Sequence, residues 1–224
     1  MKRAETKKLF YDEYLYKLHI HHPLAHIFRG KNLSYSRNVL DRMQQDFEAG
    51  LPIVREQYLR SQVYTPEELQ SAQTLLQLFS TAKVDYKLRI DSPNAHIYTN
   101  HPEYLELFVK KIKTRVVEYH EPNKSSLDLI KDNKNVIIVN KSIPYKFKVT
   151  LGETTDPTFA SWSKKNPEKV KLGSLALKEI ENNGYTRGMY FYARDEKILQ
   201  LLSLMIGGSI RRVDTIICKE DLDK

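Results

Sequence analysis

Tyr16-Lys17-Leu18-His19-Ile20-His21-His22-Pro23-Leu24-Ala25-His26-Ile27-Phe28 aligns without gaps to Tyr86-Lys87-Leu88-Arg89-Ile90-Asp91-Ser92-Pro93-Asn94-Ala95-His96-Ile97-Tyr98. Eight of the thirteen positions are identical, and a ninth pairs two aromatics. In each copy an alternation of Tyr, Leu and Ile runs into a polar, Pro-containing turn and then a second short apolar stretch. That pattern predicts a β-hairpin. A helix follows each copy, so the organising unit of the first half is a duplicated hairpin-helix element.

Working outward from the second copy, Asn100 is the expected cap of a helix with Pro102 in its first turn, where a missing N–H costs nothing. Leu105, Phe108, Val109 and Ile112 recur at helical spacing, and Thr114 to Tyr119 reads as a β-branched strand. After the first copy, Ser34 or Ser36 is the expected cap of a helix carrying Val39, Leu40, Met43 and Phe47, with Gly50 as its stop. Between the copies Thr65-Pro66-Glu67-Glu68 has the capping-box form, and Leu69, Ala72, Leu75, Leu76 and Phe79 follow on one face as a core stripe. The 18 residues before His19 read as mostly helical.

In the last third, Val136 to Val139 and Tyr145 to Leu151 read as strands. The latter opens Tyr145-Lys146-Phe147-Lys148-Val149, a faint third echo of the Tyr-Lys opening. Asp156 to Lys171 reads as a basic loop. A helix over 172–182, a strand over 187–194, a helix over 196–206 and a strand over 209–218 complete a β-α-β-α-β order. The expected class is α+β, with ferredoxin-like or split βαβ units, the duplicated hairpin-helix element and an N-terminal helical insertion. The polar stretch Glu121-Pro122-Asn123-Lys124-Ser125-Ser126 is the expected boundary, giving domains 1–122 and 123–224.

The chain has 224 residues, with Lys+Arg 36 against Asp+Glu 28 and a net charge of +8. Basic charge is spread almost evenly along it, so a binding surface must be assembled by the fold from short clusters. Those clusters are Lys110-Lys111-Lys113-Arg115, Lys164-Lys165-Lys169-Lys171 and Arg187-Arg194-Arg211-Arg212. Cys218 is the single cysteine, which excludes an intrachain disulfide and a zinc site of several thiolates. No apolar run has the roughly 18 to 20 residues of a membrane span, and no signal-like segment opens the chain. A reducing, cytoplasmic setting with no membrane partner is expected.

Arg187-Gly188-Met189-Tyr190-Phe191-Tyr192-Ala193-Arg194 resembles the RNP1 strand of RNA-recognition motifs: a basic-Gly pair, then alternating aromatics, then a helix and a last strand. In that family exposed aromatics stack bases while Lys and Arg hold phosphates. The resemblance implies stacking by Tyr190 and Tyr192, which share a strand face, and phosphate contacts from Arg187, Arg194, Arg211 and Arg212. Lys110, Lys111, Lys113 and Arg115 form a secondary patch.

His19-Ile20-His21 is similar to the His-hydrophobic-His pair with which rolling-circle nucleases bind a metal. No upstream strand and no downstream Tyr-x-x-Lys helix accompany it, and the repeat carries Arg89 and Asp91 instead. We therefore assign no catalytic residue, metal ligand or cofactor. His26 and His96 share a repeat position and are expected to make structural hydrogen bonds. No Walker-type loop, Gly-x-Gly-x-x-Gly or Gly-x-Ser-x-Gly occurs.

The leading expectation is a non-enzymatic protein that binds RNA or single-stranded DNA in replication, transcription or translational control. Its Lys, Asn, Ile and Tyr richness is that of an AT-rich coding sequence, as in viruses and phages. The alternatives are an interaction or assembly subunit of a larger protein complex and, third, a metal-dependent nuclease using His19 and His21.

Overall fold

The computed structural model describes residues 1–57 and 60–222. The chain divides into two compact units, Met1–Asn123 and Lys124–Lys224.

In the first unit the strands are β1 (Lys2–Glu5), β2 (Tyr16–His21), β3 (Val54–Gln57), β4 (Arg60–Val63), β5 (Tyr86–Asp91), β6 (Asn94–Thr99) and β7 (Val116–Glu121). Its helices are α1 (Leu33–Glu48), α2 (Pro66–Ser80) and α3 (Pro102–Lys111). Five strands form a sheet in the order β1-β7-β2-β6-β5, and β3 and β4 form a separate ribbon. Leu18, Ile20, Ala95, Ile97 and Tyr119 point to one face, where they are buried with Leu40 and Met43 of α1, Leu69, Leu75 and Phe79 of α2, and Leu105 and Phe108 of α3. The period of two places Lys17, His19, His21 and His96 on the opposite face.

The second unit contains α4 (Leu127–Asp132), β8 (Val136–Val139), β9 (Phe147–Leu151), α5 (Pro157–Lys165), β10 (Val170–Leu172), α6 (Ser174–Glu181), β11 (Tyr190–Ala193), α7 (Glu196–Ile206) and β12 (Ile210–Cys218). Its sheet order is β10-β11-β9-β12-β8. Val149, Leu151, Phe191 and Ala193 pack against Phe159 and Ala160 of α5, Ile180 of α6, and Leu202 and Ile206 of α7.

The two sheets have one topology. In each, a first strand lies between a last and a third strand, and the third pairs with the second. These neighbours are antiparallel. The order β7-β2-β6-β5 matches β12-β9-β11-β10, the order of a ferredoxin-like βαββαβ unit. Each unit adds one edge strand, from the segment before its first strand, parallel to the last strand: β1 on β7 and β8 on β12. The first unit inserts α1, the β3–β4 ribbon and α2 between its first two strands, and the second unit inserts α6 between its second and third.

The structure also explains the internal echo. β2 and β5 flank β6 in the same register, so that Tyr16 and Tyr86 both face Thr99, Leu18 and Leu88 both face Ile97, and Ile20 and Ile90 both face Ala95. The repeated Tyr, Lys, Leu and Ile of β2 and β5 are those that meet a shared strand. Only the second copy is a hairpin. In the first, Ala25–Lys31 is 3-10 helical with a kink at Arg29 and Gly30. His22 is fully buried, its Nδ1 accepts the Leu24 N–H at 3.0 Å, and its carbonyl accepts the Ala25 N–H, which turns the chain into the core.

Other expectations need correction. Asp156 to Lys171 is not a loop: the Asp156 carboxylate caps the N–H of Thr158, Pro157 sits in the first turn of α5, and Phe159, Ala160 and Ser163 face inward. The N-terminus is strand β1 rather than helix, held by its parallel pairing with β7. The α1 cap is Asn32, which accepts the Tyr35 N–H. His101 occupies the N-cap position of α3 without a side-chain capping bond, while Asn100 accepts the Leu15 N–H and donates to the Glu13 carbonyl. The capping box at Thr65 and Glu68 forms as expected, and its helix stripe is buried.

Candidate nucleic-acid interface

Strand alternation in the second unit buries Phe191 and Ala193 under the helices and turns Tyr190 and Tyr192 to the other face. Tyr190 is 43% exposed. The neighbouring strands add groups to that face by register: Thr150 and Lys148 of β9 lie opposite Tyr190 and Tyr192, and Lys171 of β10 lies opposite Tyr192.

Three tyrosines form a track. Tyr145 stacks on Tyr192 with ring centroids 6.0 Å apart and planes 30° apart, and Tyr192 meets Tyr190 edge to face at 5.5 Å. Lys148 Nζ sits 4.0 Å from the Tyr190 ring centroid. Partial burial raises the pKa of the Tyr192 phenol, with a further push from Tyr190 beside it. The Tyr192 ring therefore stays neutral at physiological pH.

Beside Tyr190 and Tyr192 lies an open groove of about 620 Å³, lined also by Lys171, Leu175 and Gly188. Gly188 has φ +83, the left-handed conformation that its turn before β11 requires. At the other end of the track, a cleft of about 370 Å³ is lined by Tyr145, Lys146, Ile143 and Ile216.

The arginines inferred from sequence are placed differently from one another. Arg187 is exposed in the turn before β11, 3.2 Å from Glu153. Arg194 follows β11 and is exposed, and Arg211 is exposed at the irregularity between Ile210 and Arg212. Arg212 is committed within the fold: its Nε lies 2.6 Å from Oδ1 of the buried Asp214, and its guanidinium also meets the Lys134 carbonyl. Lys110, Lys111 and Lys113 are exposed in the last turn of α3 and just after it, in the first unit, and Arg115 lies 3.9 Å from Glu68.

Sequence reasoning missed Tyr145, Lys146 and Lys148 as members of this face. Their only signal was the Tyr-Lys echo; the β9–β11 pairing places Lys148, ring stacking on Tyr192 places Tyr145, and Lys146 lines the cleft beside it.

Comparison with family models, with curated proteins and with solved structures finds no match to this chain.

Among the described residues no group of three or more His, Cys, Asp or Glu is placed to hold a metal ion. His19 Nε2 and His21 Nδ1 lie 3.0 and 3.2 Å from Oδ1 of Asn94. The upstream strand that the sequence seemed to lack is present as β1. His26 Nδ1 bonds to the Pro23 carbonyl at 3.1 Å, but His96 sits in a strand and its buried Nδ1 has no hydrogen-bond partner. Cys218 is buried. Among the described residues no helix is long and apolar enough to cross a membrane.

Proposed function

We propose that this chain is a nucleic-acid-binding protein that holds RNA or single-stranded DNA on the open sheet face of its second unit. It would act without catalysis in replication, transcription or translational control, in the reducing interior of a cell. The observation that carries the reading is the Tyr145–Tyr192–Tyr190 track with Lys148 and Lys171 beside it. Flat rings accept bases regardless of sequence, and the ammonium groups neutralise the phosphates between them.

The test is fluorescence anisotropy with labelled single-stranded RNA and DNA at two salt concentrations. Binding should weaken steeply as salt rises. Tyr190→Ala with Tyr192→Ala should lower affinity by tenfold or more, since each stacked base contributes about 1–3 kcal/mol. Absence of binding at low salt would sink the proposal.

Docking to a protein partner is a second reading, supported by α7, where Leu204 is 87% exposed beside the exposed Leu201 and Met205. Leu204→Glu abolishing co-purification of a partner, with nucleic-acid binding unchanged, would favour it.

A further inference from the structure

The shared topology makes positions in the two units equivalent, and the equivalence extends to their open faces. His19 on β2 faces His96 on β6 as Lys148 on β9 faces Tyr192 on β11. Arg89 on β5 faces His96 as Lys171 on β10 faces Tyr192. His21 faces Asn94 as Thr150 faces Tyr190. Even the acid on the last strand recurs, with Glu118 opposite His19 and Asp214 opposite Lys148.

The first unit's face has its own chemistry. The ring nitrogens of His19 and His21 converge on one oxygen, Asn94 Oδ1, at 3.0 and 3.2 Å. Two donors from alternate residues of one strand thus already hold an oxygen acceptor between them. Lys17 and Arg89 share this face by register, with Lys87 beside them. The acids are engaged: Glu118 lies 2.7 Å from His120 and 3.3 Å from Lys2, and Asp91 lies 2.8 Å from Arg89. Exposed pairs of the last kind contribute little and exchange readily for another anion.

Flat rings also rest on this face. Phe10 and Tyr11, from the segment after β1, lie 5.5 and 4.9 Å from the Tyr98 ring, and Lys87 Nζ stands 4.2 Å from the Tyr11 ring centroid. These contacts pair a ring with a ring and a cation, as a stacked base and its neighbouring phosphate would require.

We infer that the open face of the first unit is a second site for a single nucleic-acid strand, with His19 and His21 holding a phosphate oxygen where Asn94 Oδ1 now sits. Lys17, Lys87 and Arg89 supply the surrounding positive charge, and the exposed Tyr11 ring, resting on the buried Tyr98, supplies the aromatic surface. The inference rests on the nucleic-acid reading of the second unit for its ligand class, but it names different residues and can fail separately.

The test uses the full chain carrying Tyr190→Ala and Tyr192→Ala. Imidazole resonances are recorded at constant pH and low salt while a tetranucleotide of uridine or of deoxythymidine is added. The signal of the buried His22 reports that the fold is intact. The expected result is a saturable shift of the His19 and His21 signals, reduced at least tenfold in apparent affinity by adding His21→Ala; comparing the two oligonucleotides separates RNA from DNA. If these signals stay still while the chain with native tyrosines binds the same oligonucleotides, the inference is overturned and the second-unit site stands. If they shift although Tyr190→Ala and Tyr192→Ala leave total affinity unchanged, the inference stands and the second-unit site falls. No binding by any form overturns both.

Discussion

Lys148 holds its ammonium 4.0 Å from the centre of the Tyr190 ring, from a neighbouring strand of the same sheet. The contact brings together the two groups a single strand needs, a flat ring for a base and a positive charge for the phosphate beside it. Tyr190 remains 43% exposed beside this cation, and the adjoining groove is lined by Leu175 and Gly188.

Removing that charge has a diagnostic outcome. Each phosphate contact on a single strand contributes about 0.7 to the slope of log affinity against log salt. Lys148→Met and Lys171→Met should each flatten the slope by about that amount and weaken binding alike for all sequences. Anisotropy titrations at four salt concentrations measure it. Slopes unchanged within error in both variants would remove the lysines from the interface.

Tyr145 is the sharper test of the track, because its place in it comes from the structure alone. It stacks on Tyr192 and also lines the cleft beside Ile143. Tyr145→Ala should lower affinity about tenfold, from the lower part of the stacking range of about 1–3 kcal/mol. Tyr145→Phe should bind as the native chain does, since the ring and not the hydroxyl is used. Equal losses in both variants would point to the hydroxyl and against stacking.

What was legible in the sequence, and what was not, follows from the range of the interactions involved. The period of two placed Tyr190 and Tyr192 together, and the Thr65–Glu68 box fixed the start of α2, because both are local. The echo was real, but its reading as two hairpins failed: the position beside β2 is taken by β6, a strand from the other copy. Asp156 to Lys171 read as loop although Pro157 occupies the first turn of α5, where proline is favoured. Lys148, and Tyr145 just before β9, were invisible as site residues because strand order, not sequence spacing, puts β9 against β11. The doubled topology was hidden for the same reason, since beyond the Tyr-Lys openings the two units share a pattern of alternation and not identical residues.

Arg212 should behave as a structural residue. Asp214 is 1% exposed and pairs with the Arg212 guanidinium at 2.6 Å. Arg212→Ala leaves a buried carboxylate without that guanidinium and should cost about 3 kcal/mol or more of stability, read as a lower urea midpoint. Nucleic-acid affinity of the folded fraction should stay within about twofold, in contrast to the tyrosine variants. A variant as stable as the native chain that no longer binds would return Arg212 to the interface.

Stability should fall with acid through His22. Burial is the main cause that pushes its imidazole pKa from 6.5 down to about 4, with Arg115 adding repulsion toward the protonated form. The neutral ring is also the one the fold uses: Nδ1 accepts the Leu24 N–H, and Nε2 lies 2.7 Å from the Ser71 hydroxyl. Above pH 6.5 neither the native nor the unfolded chain protonates this group, and the stability of the pair of bonds is fully present. Between pH 6.5 and about 4 the unfolded chain takes up a proton that the native state refuses, so native stability declines as pH drops. At about 1.4 kcal/mol per pH unit the loss from His22 approaches roughly 3 kcal/mol. His96, whose pKa is likewise lowered to about 4, mainly by burial and then by Lys17 and His19, adds in the same direction. Urea midpoints at pH 7.5 and 4.5 measure the sum. His22→Asn, whose side-chain oxygen can still accept the N–H two residues on, should have a visibly smaller difference between the two pH values. An unchanged difference in that variant would show that the acid sensitivity comes from other groups.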